Sequence, residues 1–237
     1  MGGRHYYLVT SLPPLGDLGT PPPLTLRDLL AHVAIAPAAA AATAAVLLSD
    51  DLVNRQALLA GEITDAEPTL LTADQLHDRR PLPDYLVAPA DQSAAPTAAV
   101  DATWAAYFHH AADVATRTGS AFLADWTAYE VALRNALAAA RAAALGLDPA
   151  GYLVATDLAA PDGDLAAVVS EWADAPDPLA GLRVLDAARW DWLAAHDAYY
   201  TFQDDELISY AAKLLLLHRW QRLTAEPSQT DVVRTAQ

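Results

Sequence analysis

The chain has 237 residues, enough for a substantial core in one or two domains, and is 54% hydrophobic, with much of that share in alanine. It contains no cysteine, which excludes disulfides, thiolate metal sites and cysteine nucleophiles. Fourteen Lys and Arg against thirty Asp and Glu leave a formal charge of −16, which disfavours nucleic acid and anionic membranes as partners and suits a basic or polar protein surface.

The first residues, MGGRHYYLVTSLPPL, carry no secretory pattern, because the apolar run Tyr6 to Val9 is short and prolines follow it. Tyr6 also stands where a myristoylation signal needs Ser or Thr. The segment His5 to Thr10 reads as a short β-like run, the one extended element expected. Thr25 with Asp28 forms a candidate capping box for a helix over 25–33. An alanine-rich helix follows over 38–60, stopped by Gly61. The most apolar stretch of the chain, Ala34 to Leu48, is shorter than the ~20 residues of a membrane span. Thr72 with Gln75 offers a second capping box, for a short helix ended by Pro81 and Pro83.

Residues 88–98 (APADQSAAPTA) read as a flexible link and a boundary. They divide the chain into an N-terminal helical part, 1–90, and a C-terminal helical bundle, 91–225, with a flexible tail over 226–237. In the second part Trp104, Phe108, Ala111 and Ala115 recur at helical spacing, predicting a helix over 100–118. Phe122, Trp126, Tyr129, Leu133 and Leu137 do the same for 120–146, where Gly146 stops the helix. Leu165, Val168, Val169 and Trp172 mark a short helix; longer ones are predicted over 178–195 and 203–224. The fold class is all-α.

Asp204, Asp205 and Glu206 admit two readings, hard-metal ligands or the acidic first turn of the last helix. Thr201 and Asp204 match a capping box, the acids face the positive end of the helix dipole, and Lys213, Arg219 and Arg222 lie toward the negative end. A two-metal site would want a second aspartate cluster on a facing helix, so the helix start is preferred. His109 and His110 point about 100° apart on a helix and cannot readily share one ion. His109 with Asp113, four residues on, reads as a surface pair. No Gly-x-Gly-x-x-Gly, phosphate loop or Gly-x-Ser-x-Gly occurs. No catalytic, cofactor or metal residue is therefore assigned. Trp190 and Trp192 flank Asp191 and cannot both face one core, so one of them is a boundary or partner-binding residue.

The stretches "HYYLVTSLPPL", "LPDYL", "FLADWTAYEVALRNALAAARAAALGLDPAGYLV" and "ARWDWLAAHDAYYTFQDDELISYAAKLLLLHRW" occur in this order. Together they resemble an uncharacterised bacterial family encoded within V/A-type ATP synthase operons, over roughly residues 5–223. The block Arg189-Trp190-x-Trp192-Leu193 with Phe202 and Tyr210 is its most specific part. That family is similar to a shortened form of the central-stalk socket protein, which goes by the letter C in A-type enzymes and d in eukaryotic V-type enzymes. Asn135, Arg141 and Gly146 resemble one helix of that protein's threefold repeat, Asp51 and Asn54 before Gly61 an earlier one, and Phe202 and Tyr210 its closing helix.

The resemblance implies a helical bundle that acts mechanically: a socket on the membrane rotor ring that receives the foot of the central shaft. It implies shaft and ring subunits as partners, no cofactor, no membrane insertion, and a cytoplasmic place at the inner membrane face. A regulator or assembly factor that touches the ATPase transiently stays open beside it. The rival is an all-α metal-dependent enzyme using Asp204, Asp205 and Glu206, with His109. Aromatic residues in the last block predict that the final two helices form an α-hairpin, turning near Tyr199 to Phe202.

Overall fold

A computed structural model describes residues 5–87, 99–160 and 165–224. All regular secondary structure among them is helical. In chain order the α-helices are α1 (Tyr6–Thr10), α2 (Leu26–Val33), α3 (Pro37–Ala60), α4 (Ala73–Leu76), α5 (Ala99–Thr118), α6 (Ala121–Ala144), α7 (Ala166–Ala173), α8 (Pro178–Ala195) and α9 (Asp204–Thr224). Three 3-10 turns, Asp84–Leu86, Pro149–Tyr152 and Thr156–Leu158, lie in the connections. The predicted link 88–98 and the tail 226–237 fall outside the described residues.

The local signals act as their chemistry requires. Thr25 Oγ1 accepts the Asp28 amide at 3.1 Å while Asp28 reaches back to the Thr25 amide. Thr72 and Gln75 form the same reciprocal pair. Such a cap stabilises a helix start by about 1 kcal/mol. Gly61 and Gly146 close the two longest helices in the left-handed region, φ 73° and 67°, where a side chain would be strained.

One element differs from expectation. Residues 6–10 are a helical turn, not an extended segment. No strand exists among the described residues for it to pair with, and an isolated strand would leave its amides and carbonyls unmet. The turn instead bonds Val9 N to His5 O and Ser11 N to Tyr7 O, and the hydroxyls of Thr10 and Ser11 donate to the carbonyls of Tyr6 and Tyr7. Leu8 then points into the core.

Helix α9 is buried on nearly all sides: Leu207, Ile208, Ala211, Ala212 and Leu214 through Leu217 are all core residues. It packs along α3 and against α2, α6 and α8, and so runs through the middle of the larger core rather than over it. Its middle, Leu207 to Leu217, is apolar on most sides and so belongs inside. A second, smaller core gathers Leu48, Leu52, Leu76, Trp104, Phe108 and Val131. Each core draws side chains from both sides of residues 88–98.

Two helices share a device. On α3, Asp51 accepts the amides of Thr69, Leu70 and Leu71, each at 2.7 Å. Burial pushes its carboxyl up, and these bonds pull it part of the way back. On α6, Asn135 donates to Val154 O at 2.8 Å and accepts Val154 N at 2.9 Å. Each polar side chain reaches past the glycine stop and pins the loop that follows its own helix.

Candidate interaction site

Helix α1, the turn between α8 and α9, and the N-termini of α6 and α9 meet at one place. The three acids that open α9 make this junction, each with a different partner. Asp204 Oδ1 lies 2.6 Å from His5 Nε2. Asp205 accepts the Ser120 hydroxyl at 2.5 Å, and Ser120 in turn caps α6 by accepting the Leu123 amide. Glu206 accepts the amides of Phe202 at 2.7 Å and Tyr200 at 3.1 Å. The acids are thus a helix start, as the sequence indicates, although the cap differs. Thr201 lies too far upstream of Asp204, the first helical residue, so Glu206 reaches back to the turn in its place.

The turn they hold is strained. Tyr200 and Phe202 have φ of 63° and 53°, a conformation bulky residues rarely adopt. Aromatic rings stand exposed on the turn and beside it. Tyr199 and Tyr200 are 63% and 83% exposed, and Tyr6 and Tyr7 on α1 are 65% and 76% exposed. The Tyr6 and Phe202 rings pack at 4.7 Å, and the His5 amide donates to the Phe202 carbonyl at 2.6 Å, so α1 and the turn are joined by both side chain and backbone. The Tyr210 hydroxyl donates to the Pro13 carbonyl and fixes the chain leaving α1 onto α9.

Beneath this knuckle sits Lys213. It pairs with Asp197 and donates to the Tyr199 hydroxyl at 3.0 Å. Burial pulls its ammonium down, but those two partners outweigh burial and leave it above the ordinary lysine value. Lys213 therefore serves the turn, not the negative end of α9 as the sequence alone indicates. Arg219 and Arg222 also face carboxylates, Asp186 and Asp50.

Trp190 and Trp192 are both half-buried and diverge as their spacing requires. Trp192 stacks on Tyr129 at 5.1 Å and on His196 at 3.9 Å, and touches Phe122 and Trp126, so it binds α8 to α6. Trp190 lies on the Lys213 side, next to the knuckle. Trp190, Trp192 and Tyr210 pack against the same larger core, but no ring pair among the described residues joins either tryptophan to Phe202 or Tyr210. Helices α8 and α9 do turn at 199–202, but Phe202 and Tyr210 turn to the N-terminal segment, which sequence separation concealed.

His109 pairs with Asp157, 3.1 Å away, and with the Ala105 carbonyl, not with Asp113. His110 stacks on Tyr85. Among the described residues no three His, Asp or Glu side chains gather where they would hold a metal ion, and no helix is long and apolar enough to cross a membrane.

The fold and site define a protein all-helical over its described residues, with a tyrosine-rich knuckle on its surface. By sequence, the chain belongs to the family described as protein of unknown function DUF2764, which matches residues 60–231. Comparison with curated proteins and with solved structures gives no match.

Proposed function

We propose that this protein is a non-catalytic component of a V/A-type ATPase, a shortened central-stalk socket that couples the central shaft to the membrane rotor ring. The observation that carries the docking role is the knuckle: four exposed tyrosines, two on a strained turn and two on the helix α1 packed against it, with three buried or half-buried carboxylates holding the junction. Tyrosine brings a large, stiff contact area at low entropic cost and is enriched at protein interfaces. A torque-bearing contact needs such a pre-organised surface, since ordering flexible side chains on binding weakens association.

The likeness to the central-stalk socket has separate support in the paired devices of α3 and α6. Both helices end on a left-handed glycine, and both carry a polar residue, Asp51 or Asn135, that pins the next loop 18 to 20 positions downstream. Such a recurrence fits a repeated helical unit. The partners on this reading are the shaft and rotor-ring subunits, and the place is the cytoplasmic face of the inner membrane.

The test is purification from gently solubilised membranes with a tag on this chain. Stoichiometric recovery of shaft and ring subunits is expected. Weak or transient recovery favours a regulator or assembly factor, and none defeats the reading. The enzyme alternative predicts a large thermal shift with a divalent ion that Asp204→Ala abolishes.

A further inference from the structure

Between α3, α5, α6 and α9 lies a cavity of about 540 Å³, within the range of small-molecule sites. Trp104, Tyr107, Phe108 and Trp126 are among its walls. Val100, Leu145, Leu147 and Tyr152 line it and are also exposed, which places its mouth at the C-terminal end of α6. Aromatic walls with an apolar mouth suit an apolar body.

Its charged lining is four arginines and three carboxylates, Asp50, Asp101 and Glu130. Arg134, Arg141, Arg189 and Arg219 line the cavity, in a chain with only 14 basic residues against 30 acidic ones. Their carboxylate partners are largely committed. Glu130 gives both oxygens to Arg189, Asp101 pairs with Arg134 at 2.9 Å, and Asp50 pairs with Arg222. The fully buried Asp186 is shared, 3.2 Å from Arg189 and 3.5 Å from Arg219. Arg141 has no carboxylate partner among the described residues and lies over the Trp172 ring at 4.9 Å. Arg134 lies two turns before Arg141 on α6 and lines the same wall, so two guanidiniums flank this part of the cavity.

We infer that this cavity binds a small amphipathic anion: an aromatic or aliphatic body on the ring walls, with one carboxylate, sulfonate or phosphate held by Arg141, and Arg134 beside it on the α6 wall. Arginine suits such a group because its planar fork matches two oxygens at once. The inference is independent of the docking role, since it concerns a different face and needs no partner protein.

The test titrates the full chain with 8-anilinonaphthalene-1-sulfonate and with its uncharged counterpart, N-phenyl-1-naphthylamine, followed by fluorescence. One saturable site per chain is expected, with the sulfonate bound about tenfold tighter than the neutral probe. Arg141→Gln, at an exposed position, should remove most of that preference and leave the neutral probe's affinity unchanged. Ala138→Trp should fill the cavity and expel both probes while helical content is kept. Leu145→Glu, at the exposed mouth, gives Arg141 a partner and should weaken the sulfonate alone, even if the tryptophan variant fails to fold. Non-saturating binding, equal affinity for the two probes, or sulfonate binding unaltered by Arg141→Gln and Leu145→Glu would overturn the inference. So would a well-folded Ala138→Trp protein that keeps the site.

Discussion

Arg189 on α8 grips Glu130 on α6 with two parallel hydrogen bonds, Nε to Oε1 at 2.7 Å and Nη2 to Oε2 at 3.1 Å. Its third nitrogen donates to the buried Asp186. Both members of the pair are largely buried, so each depends on the other to offset lost hydration.

Removing one partner should therefore hurt far more than a surface ion pair would allow. Glu130→Gln is expected to cost about 3 kcal/mol, since breaking a buried pair leaves a charge uncompensated. Urea denaturation measures this. Arg189→Met should cost a similar amount, and the double variant less than the sum of the two. Strict additivity would mean that the pair is not coupled.

The ring stacked on Trp192 makes stability depend on alkaline pH. Burial, then the charge of Glu130, pushes the Tyr129 hydroxyl up to about 12. The unfolded chain holds tyrosine near its ordinary value of about 10. Between about pH 10 and 12 the unfolded state has lost a proton that the folded state still binds, so stability falls as pH rises. Below about 10 the contribution is fully present. Denaturation midpoints measured across that window should fall less steeply for Tyr129→Phe than for the natural chain.

The two tryptophans should separate folding from assembly. Trp192 touches three rings on α6 and His196 just past α8, so Trp192→Ala should cost about 3 kcal/mol and lower the melting temperature sharply. Trp190→Ala should cost less and, on the stalk reading, reduce recovery of ATPase subunits. Equal melting temperatures together with equal recovery would contradict both expectations.

Tyr200 offers a cleaner separation, because its native backbone is unfavourable for it. Replacing it by glycine relieves a left-handed residue, whose strain costs of order 1–3 kcal/mol, against a greater loss of chain entropy on folding of about 0.4–1 kcal/mol. Tyr200→Gly should therefore fold at least as well as the natural chain. If the knuckle docks a partner, the same variant should co-purify less. A gain in stability with undiminished co-purification would assign the strain to no docking role.

The sequence by itself determined the helices. Periodic apolar residues, the Thr25 and Thr72 caps, and the Gly61 and Gly146 stops are local signals, and local hydrogen bonding acts on them within a few residues. It also identified 204–206 as a helix start, because the dipole and capping arguments need no tertiary information. It misread residues 5–10, where six residues are too few to distinguish one helical turn from a strand, and only the absence of a pairing strand among the described residues decides. Which acid meets which base lay beyond it as well. His5 with Asp204, Ser120 with Asp205, Arg189 with Glu130 and Arg222 with Asp50 are separated by long stretches of chain, and no periodicity encodes such pairs. Tertiary packing brings α1, α6, α8 and α9 together, and burial then makes each of these charges require the partner that the fold supplies.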